Sequence, residues 1–191
     1  MSDDEATIES NRRARRLAVS GWLIILLSAG AIALPLVDPG NEALVIGAML
    51  VAAGIIEIAA ATVRLQTRIL AMLAGAVTIL AGLLFATDPA THFLSTLTII
   101  MGWLFVRSLI LASAALLEHG TAKRWTAFSA ATDFILSAAL AIGLSISTLV
   151  VALFGATEDL ITSFAWVLAI SFIATGTLLL LLANCARRED V

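Results

Sequence analysis

The stretch ILAMLAGAVTILAGLLFA, residues Ile69–Ala86, is an apolar run of 18 residues without a charge, and Thr87-Asp88-Pro89 follows it. At a rise of 1.5 Å per residue, a helix of roughly 20 residues crosses the ~30 Å of hydrocarbon in a bilayer. An open strand would leave backbone groups unpaired in lipid, and the run lacks the alternation of a barrel strand. The stretch therefore predicts a membrane-spanning helix.

Five further runs resemble it, so the sequence predicts an all-α, polytopic membrane protein with six transmembrane helices. The composition agrees, since 61% of the 191 residues are apolar and only 13% are charged, about half the charged share of soluble proteins. An ordinary soluble domain is thereby excluded. The predicted spans are residues 17–37, 43–63, 69–86, 93–117, 125–147 and 160–183 of a transmembrane domain 17–184, between a charged N-terminal segment 1–16 and a tail 185–191.

The fifth run is longer than one span requires. From Trp125 to Thr157 there are 33 residues with Asp133 as the only charged one, which as a single helix would reach ~50 Å. We expect an interruption after Gly143, at residues 145–148, that leaves 149–154 as an interfacial or re-entrant piece. A strongly tilted continuous helix is the alternative.

The basic residues predict the orientation. Ten of the eleven Lys and Arg residues flank the spans on one side of this topology, and the opposite loops carry acidic residues with no Lys or Arg. Because Lys and Arg near span ends stay on the cytoplasmic side, both termini are expected in the cytoplasm. The first apolar run exceeds the ~7–15 residues of a signal-peptide core, so we interpret it as a retained signal-anchor.

Two pairs of residues recur at an interval of 50. Asp38-Pro39 and Asp88-Pro89 close the first and third spans, and Glu57 and Arg107 lie in the spans that follow. With Thr157-Glu158-Asp159 as a diverged third turn, the pattern predicts three in-out-in helical hairpins related as parallel repeats. Similar turns at the tips of unrelated hairpins are the alternative.

The six spans, the acidic Asp-Pro outer turns, the glycine-rich second span and Asp133 shortly after Trp125 together resemble the HdeD-like acid-resistance membrane proteins of bacteria. The resemblance runs from Gly21 to Leu182 and rests mostly on glycines and apolar pattern. It implies a small, non-enzymatic inner-membrane protein of the acid-stress response, without a cofactor, that acts through the lipid bilayer, self-association or another membrane protein. The acidic N-terminal extension and the long fifth span depart from the family pattern.

Three ionisable residues, Glu57, Arg107 and Asp133, lie inside predicted spans. Each costs about 2.5–3.5 kcal/mol at a helix centre on insertion scales, so they are expected to face the bundle interior at similar depth and to pair. One cation between two carboxylates leaves one excess negative charge, or one proton, to be shared. The favoured interpretation is a network that fixes helix packing; a proton-linked transporter or channel is the alternative.

Glycines seven residues apart mark one face of each of two spans: Gly47 and Gly54 in the second, Gly75 and Gly82 in the third. Small residues let helix backbones approach closely in lipid. The stripes predict packing between helices of one chain, with a dimer face as the alternative.

The outer-turn histidine, the cysteine and the N-terminal arginines mainly exclude classes of function. His92, in an acidic outer turn, is a candidate pH sensor, although an ordinary solvated loop histidine is the favoured interpretation. The single cysteine, Cys185, excludes an internal disulfide, and no Cys/His spacing predicts a metal site. The short Arg12–Arg16 cluster follows several acids, so nucleic acid is not an expected partner. No Ser or Cys has a base at motif spacing, which argues against an enzyme.

Overall fold

The structure is a computed structural model that describes residues 3–32, 42–64, 66–87, 96–154 and 160–188, with side chains described over 10–31, 44–64, 66–87, 98–142 and 167–186. This part of the chain forms helices and no strands. The helices are α1 (Asp3–Ile32), α2 (Glu42–Ala61), α3 (Arg68–Ala86), α4 (Thr96–Leu117), α5 (Gly120–Phe154) and α6 (Leu160–Arg188). All six contain a stretch long and apolar enough to cross a membrane. Within the described residues, the prediction of an all-α protein with six helices long and apolar enough to span a membrane is confirmed.

The expected interruption in the fifth span is wrong. Helix α5 runs without a break over the 35 residues Gly120–Phe154, about 52 Å at helical rise. Ser and Thr keep the backbone N–H and lack the ring clash of proline, so residues 145–148 do not by themselves end a helix. The alternative of one long helix is the one observed.

The helices pack as a closed ring in which each has one dominant neighbour. The most extensive contacts join α2 to α3, α4 to α5 and α1 to α6, and smaller contacts join α1 to α2, α3 to α4 and α5 to α6. Every chain neighbour is thus also a neighbour in space, and α6 returns to α1. The largest interfaces lie between the expected hairpins and not within them.

The apolar surface is distributed as a bilayer requires. Ile24, Leu50 and Leu104 are fully buried in the centre of the ring. Large apolar side chains such as Ile69 and Leu116, each about three-quarters exposed, cover the outside. An apolar exterior of this extent is unstable in water and matches hydrocarbon.

Successive helices run antiparallel. One end of the ring therefore holds the first residues of α1, α3 and α5 and the last residues of α2, α4 and α6. We call it the basic end, since it carries Arg64 in the α2–α3 turn, Arg68 at the start of α3, and Lys123 and Arg124 near the start of α5. The turn from α4 to α5 spans only two residues, Glu118 and His119, before Gly120. Gly120 has a φ of 61°, a left-handed conformation that a residue without Cβ adopts at little cost.

Candidate functional site

The structure brings the three ionisable residues of the spans into direct contact. Nη2 of Arg107 donates a hydrogen bond to Oε1 of Glu57 at 2.6 Å, and Nη1 donates to Oδ2 of Asp133. The exposed fractions are 2% for Arg107, 8% for Glu57 and 0% for Asp133. We call this set the Arg107 network; it joins α2, α4 and α5 in the interior of the ring.

Two hydroxyl groups of α6 complete the Arg107 network. Thr175 Oγ1 accepts a hydrogen bond from Arg107 Nη2 at 2.8 Å and donates to the carbonyl oxygen of Ser171 at 2.9 Å. Ser171 Oγ donates to Oδ1 of Asp133 at 2.8 Å. Ser171 and Thr175 lie four residues apart and therefore share one helix face. Sequence reasoning missed both, since Ser and Thr occur throughout the spans.

Trp103 links Arg107 to the third helix. The Arg107 guanidinium carbon lies 5.9 Å from the centre of the Trp103 ring, within cation–π range. The indole Nε1 donates to Thr78 Oγ1 at 3.1 Å, and that hydroxyl donates to the carbonyl of Ala74 at 3.0 Å. Trp103 lies four residues before Arg107 and therefore on the same helix face. This spacing is the feature of the sequence that indicates the contact. The polar interior thus involves every helix from α2 to α6.

We expect the substitution Trp103→Phe to destabilise the protein by about 1–2 kcal/mol, because it removes a buried hydrogen bond and weakens the cation–π contact. The measurement is the free energy of unfolding of the purified protein in mixed detergent micelles. Trp22→Phe is the control, since Trp22 is 59% exposed and its replacement is expected to change stability by less than about 0.5 kcal/mol. Equal effects of the two substitutions would contradict the assignment.

Two cavities lie between the Arg107 network and the basic end. A small cavity of about 30 Å³ is lined by Glu57, Arg107, Thr175 and Arg64, with apolar side chains closing it. A larger cavity of about 320 Å³, which we call the vestibule, is lined by Arg64, Glu118 and His119 among others. Arg64 lines both cavities and therefore stands between the vestibule and the network.

Arg64 is the functional candidate that sequence reasoning assigned only to the flank of a span. Its Nε and Nη2 atoms are buried and have no hydrogen-bond partner among the described residues. Burial lowers the pKa of Arg64 from its ordinary value, although the charges of Glu118 and Glu57 act in the opposite direction. The turn after α2 folds this side chain inward, which a count of flanking charges does not reveal.

Glu118 forms a second polar cluster at the basic end. Its Oε1 accepts a hydrogen bond from Thr67 Oγ1 at 2.8 Å, and its Oε2 accepts one from Thr126 Oγ1 at 2.5 Å. Thr67 is the residue before α3 and makes no side-chain capping bond, because its hydroxyl is directed to Glu118. The carboxylate thereby ties the α2–α3 turn to the beginning of α5.

We expect Thr126→Val to cost about 1.5–3 kcal/mol of unfolding free energy, since it removes a buried hydrogen bond to a charged group without changing the volume much. The control is Thr132→Val, because the Thr132 hydroxyl donates only to the carbonyl of Phe128 in its own helix. Detergent unfolding of the two variants tests the difference. A loss of stability no larger in Thr126→Val than in the control would rule out a structural role for Glu118.

The four glycines of the two stripes meet at the α2–α3 contact. A Cβ built on Gly47 would lie 2.6 Å from the carbonyl oxygen of Gly82, and one built on Gly54 would lie 2.6 Å from that of Gly75. The helices therefore touch backbone to backbone at two levels. Gly21 of α1 and Gly176 of α6 make a third contact of this kind, with each hypothetical Cβ 2.8 Å from the other's carbonyl oxygen.

The remaining candidates are not part of these clusters. His92, the expected pH sensor, lies outside the described residues, as do Asp38 and Asp88 of the expected outer turns. Cys185 is a free thiol of intermediate exposure that lines the vestibule.

Comparison with known proteins identifies no relative of this chain. The chain matches no protein family, no curated protein and no solved structure, so the evidence on function is the arrangement of its own residues.

Proposed function

We propose that the chain is a non-enzymatic, multi-pass protein of the bacterial cytoplasmic membrane that acts in acid stress through contacts with the bilayer, with a second copy or with another membrane protein. Six apolar helices support the membrane assignment. The positive residues of the basic end favour a cytoplasmic location for that end and for both termini. The acid-stress role follows from the sequence resemblance to the HdeD-like proteins.

The observation that carries the proposal is the complete burial of the Arg107 network between four helices. Arg107 pairs with Glu57 and Asp133, and two hydroxyls of α6 add further bonds, Thr175 to Arg107 and Ser171 to Asp133. In hydrocarbon, polar side chains across helices favour one packing arrangement over the many that apolar contacts alone permit. The network's main role is therefore to hold α2, α4, α5 and α6 in register.

The charge balance of the network supports a link to acid. One guanidinium faces two carboxylates, so the group carries one excess negative charge or holds one proton. A proton gained at either carboxylate removes that excess and weakens one of the two ion pairs of Arg107. Acidification thereby acts on the bonds that hold the helices together, and we propose this as the link between the network and acid stress.

We also propose that the six helices are three in-out-in hairpins related by duplication. Gly21 and Ile25 of α1 meet Gly176 of α6 in the same manner as Gly75 and Ile79 of α3 meet Gly54 of α2. The first helix of one expected hairpin thus contacts the second helix of another in the same way twice, α1 with α6 and α3 with α2. Gly21 and Gly75 lie 54 residues apart, so the register of this repeat differs by one helical turn from the interval of 50.

A proton-linked transporter or channel is the second candidate, and the cavities favour it. The vestibule at the basic end and the small cavity beside Glu57 and Arg107 share one lining residue, Arg64. On the other side of the network, the described core is closed by apolar side chains that include Ile100, Leu168 and Phe172. Within the described residues, cavities on one side of the network and an apolar closure on the other are what an alternating-access carrier presents in one of its states.

Reconstitution into liposomes with an internal pH dye distinguishes the two candidates. The variants are Asp133→Asn and Arg107→Gln, with Thr132→Val as the control on the same helix as Asp133. The packing role predicts no flux above empty liposomes under an imposed pH step, together with lower thermal stability of both network variants. Flux in the wild type and the control that disappears in both network variants would replace the packing role by transport.

A further inference from the structure

The small cavity presents hydrogen-bond donors without acceptors. Arg64 and Arg107 both line it, and Nε and Nη2 of Arg64 and Nε of Arg107 are buried without a partner among the described residues. Buried N–H groups normally find an acceptor in the protein, in a water molecule or in a ligand. Two cationic side chains with free N–H groups at one cavity therefore indicate that something electronegative belongs there.

The acceptors that line the cavity are engaged, except for Oε2 of Glu57, which makes no hydrogen bond within the described residues. Glu57 accepts from Arg107 Nη2 through Oε1, and the Thr175 hydroxyl donates to the carbonyl of Ser171. Glu118, whose charge acts on Arg64, accepts from Thr67 and Thr126 with its two oxygens. Apolar side chains such as Ala60 and Leu178 complete the wall. The cavity thus offers an occupant the N–H donors of two guanidinium groups beside one carboxyl group, that of Glu57.

The two unpartnered nitrogens of Arg64 lie on the same edge of its guanidinium. Such an edge presents two parallel N–H groups and binds anions with well-defined geometry. Arg64 also lines the vestibule, so the basic end is the side from which we expect an occupant to enter. A volume of about 30 Å³ holds one or two water-sized bodies and no more.

We propose that this cavity is a binding site for one small monovalent anion of halide size, held between Arg64 and Arg107. The anion gives Arg64 the counter-charge that Glu118 does not supply by direct bonding, and it binds together with the one proton that the Arg107 network can hold, because the network with both carboxylates ionised is already negative. Within the network, the anion accepts a hydrogen bond from the unpartnered Nε of Arg107. The other two nitrogens of this guanidinium bind Asp133 and Glu57. Tetrahedral oxyanions are excluded by size.

Thermal unfolding of the purified full-length protein in detergent tests the site. Sodium chloride and sodium bromide are compared with sodium gluconate at equal ionic strength and fixed pH, and sodium phosphate forms a fourth arm. At ten times the dissociation constant, a bound halide is expected to raise Tm by about 3–6 °C. The rise is expected in the wild type and in the control Arg68→Gln, whose side chain is exposed, and not in Arg64→Gln.

Excess line broadening of the ³⁵Cl NMR signal gives a second readout that does not depend on the stability of Arg64→Gln. Broadening is expected with the wild type and Arg68→Gln, and Arg64→Lys, which keeps the charge but lacks the paired N–H edge, is expected to bind at least about tenfold more weakly. Absence of both the Tm rise and the broadening in the wild type would overturn the proposal in favour of a water-filled cavity. Stabilisation by phosphate without chloride would also overturn it and would place an oxyanion in the vestibule.

Discussion

Replacing Arg107 with methionine is expected to lower the free energy of unfolding by roughly 3–5 kcal/mol, the cost of removing one partner from a buried ion pair. Arg107 satisfies Glu57, Asp133 and Thr175 at the same time. Methionine fills a similar volume and bonds to none of them. Two buried carboxylates then share an apolar interior without a cation. The loss is large because a domain is stable by only about 5–15 kcal/mol.

A triple variant distinguishes the loss of charge balance from a loss of packing. Glu57→Gln and Asp133→Asn combined with Arg107→Met remove all three charges and keep the side-chain volumes. Replacing a whole buried ion cluster by neutral groups is often close to neutral in stability, so the triple variant is expected to recover most of the loss. Denaturant titration in mixed micelles measures both. A triple variant as unstable as Arg107→Met alone would show that the guanidinium acts through its shape and not through its charge.

The membrane-spanning helices and the charged centre of the bundle were both predictable, for one physical reason. Lipid offers no hydrogen bonds, so apolar length identifies spans and every ionisable residue inside a span must find another. Glu57, Arg107 and Asp133 are the three ionisable residues of the predicted spans, so this reasoning leaves only one way to group them. The resemblance to acid-resistance proteins stays a prediction.

The hydroxyl partners and Arg64 were not predictable in the same way. Ser and Thr can satisfy themselves by bonding to a carbonyl of their own helix, as Thr132 and Thr177 do, so their presence in a span does not indicate a partner. Ser171 and Thr175 become recognisable only when α6 is placed beside Arg107. The sequence places Arg64 at the end of the second span, where a basic residue indicates the cytoplasmic side. It does not show that the turn after α2 directs this side chain into the bundle.

The packing of the ring depends on close backbone contact at Gly54, and a single methyl group there is expected to disturb it. A Cβ at this position would lie 2.6 Å from both the carbonyl oxygen of Gly75 and Cγ1 of Ile79. Backbone cannot move aside as a flexible side chain does, so Gly54→Ala must separate α2 from α3. Overpacking of this kind costs about 1–3 kcal/mol, occasionally more, and it outweighs the roughly 1 kcal/mol by which alanine is favoured over glycine in a helix.

Gly102→Ala is the matched control for Gly54→Ala, and it is expected to change stability in the opposite direction. No heavy atom lies within 4 Å of a Cβ built on Gly102 in α4, so alanine there gains helix preference without a clash, up to about 1 kcal/mol. Because Glu57 lies one turn from Gly54, separation of α2 also draws its carboxylate away from Arg107. A double variant Gly54→Ala with Arg107→Met should therefore lose less stability than the sum of the single losses. Additive losses, or a stabilised Gly54→Ala protein, would show that the α2–α3 contact does not position the network.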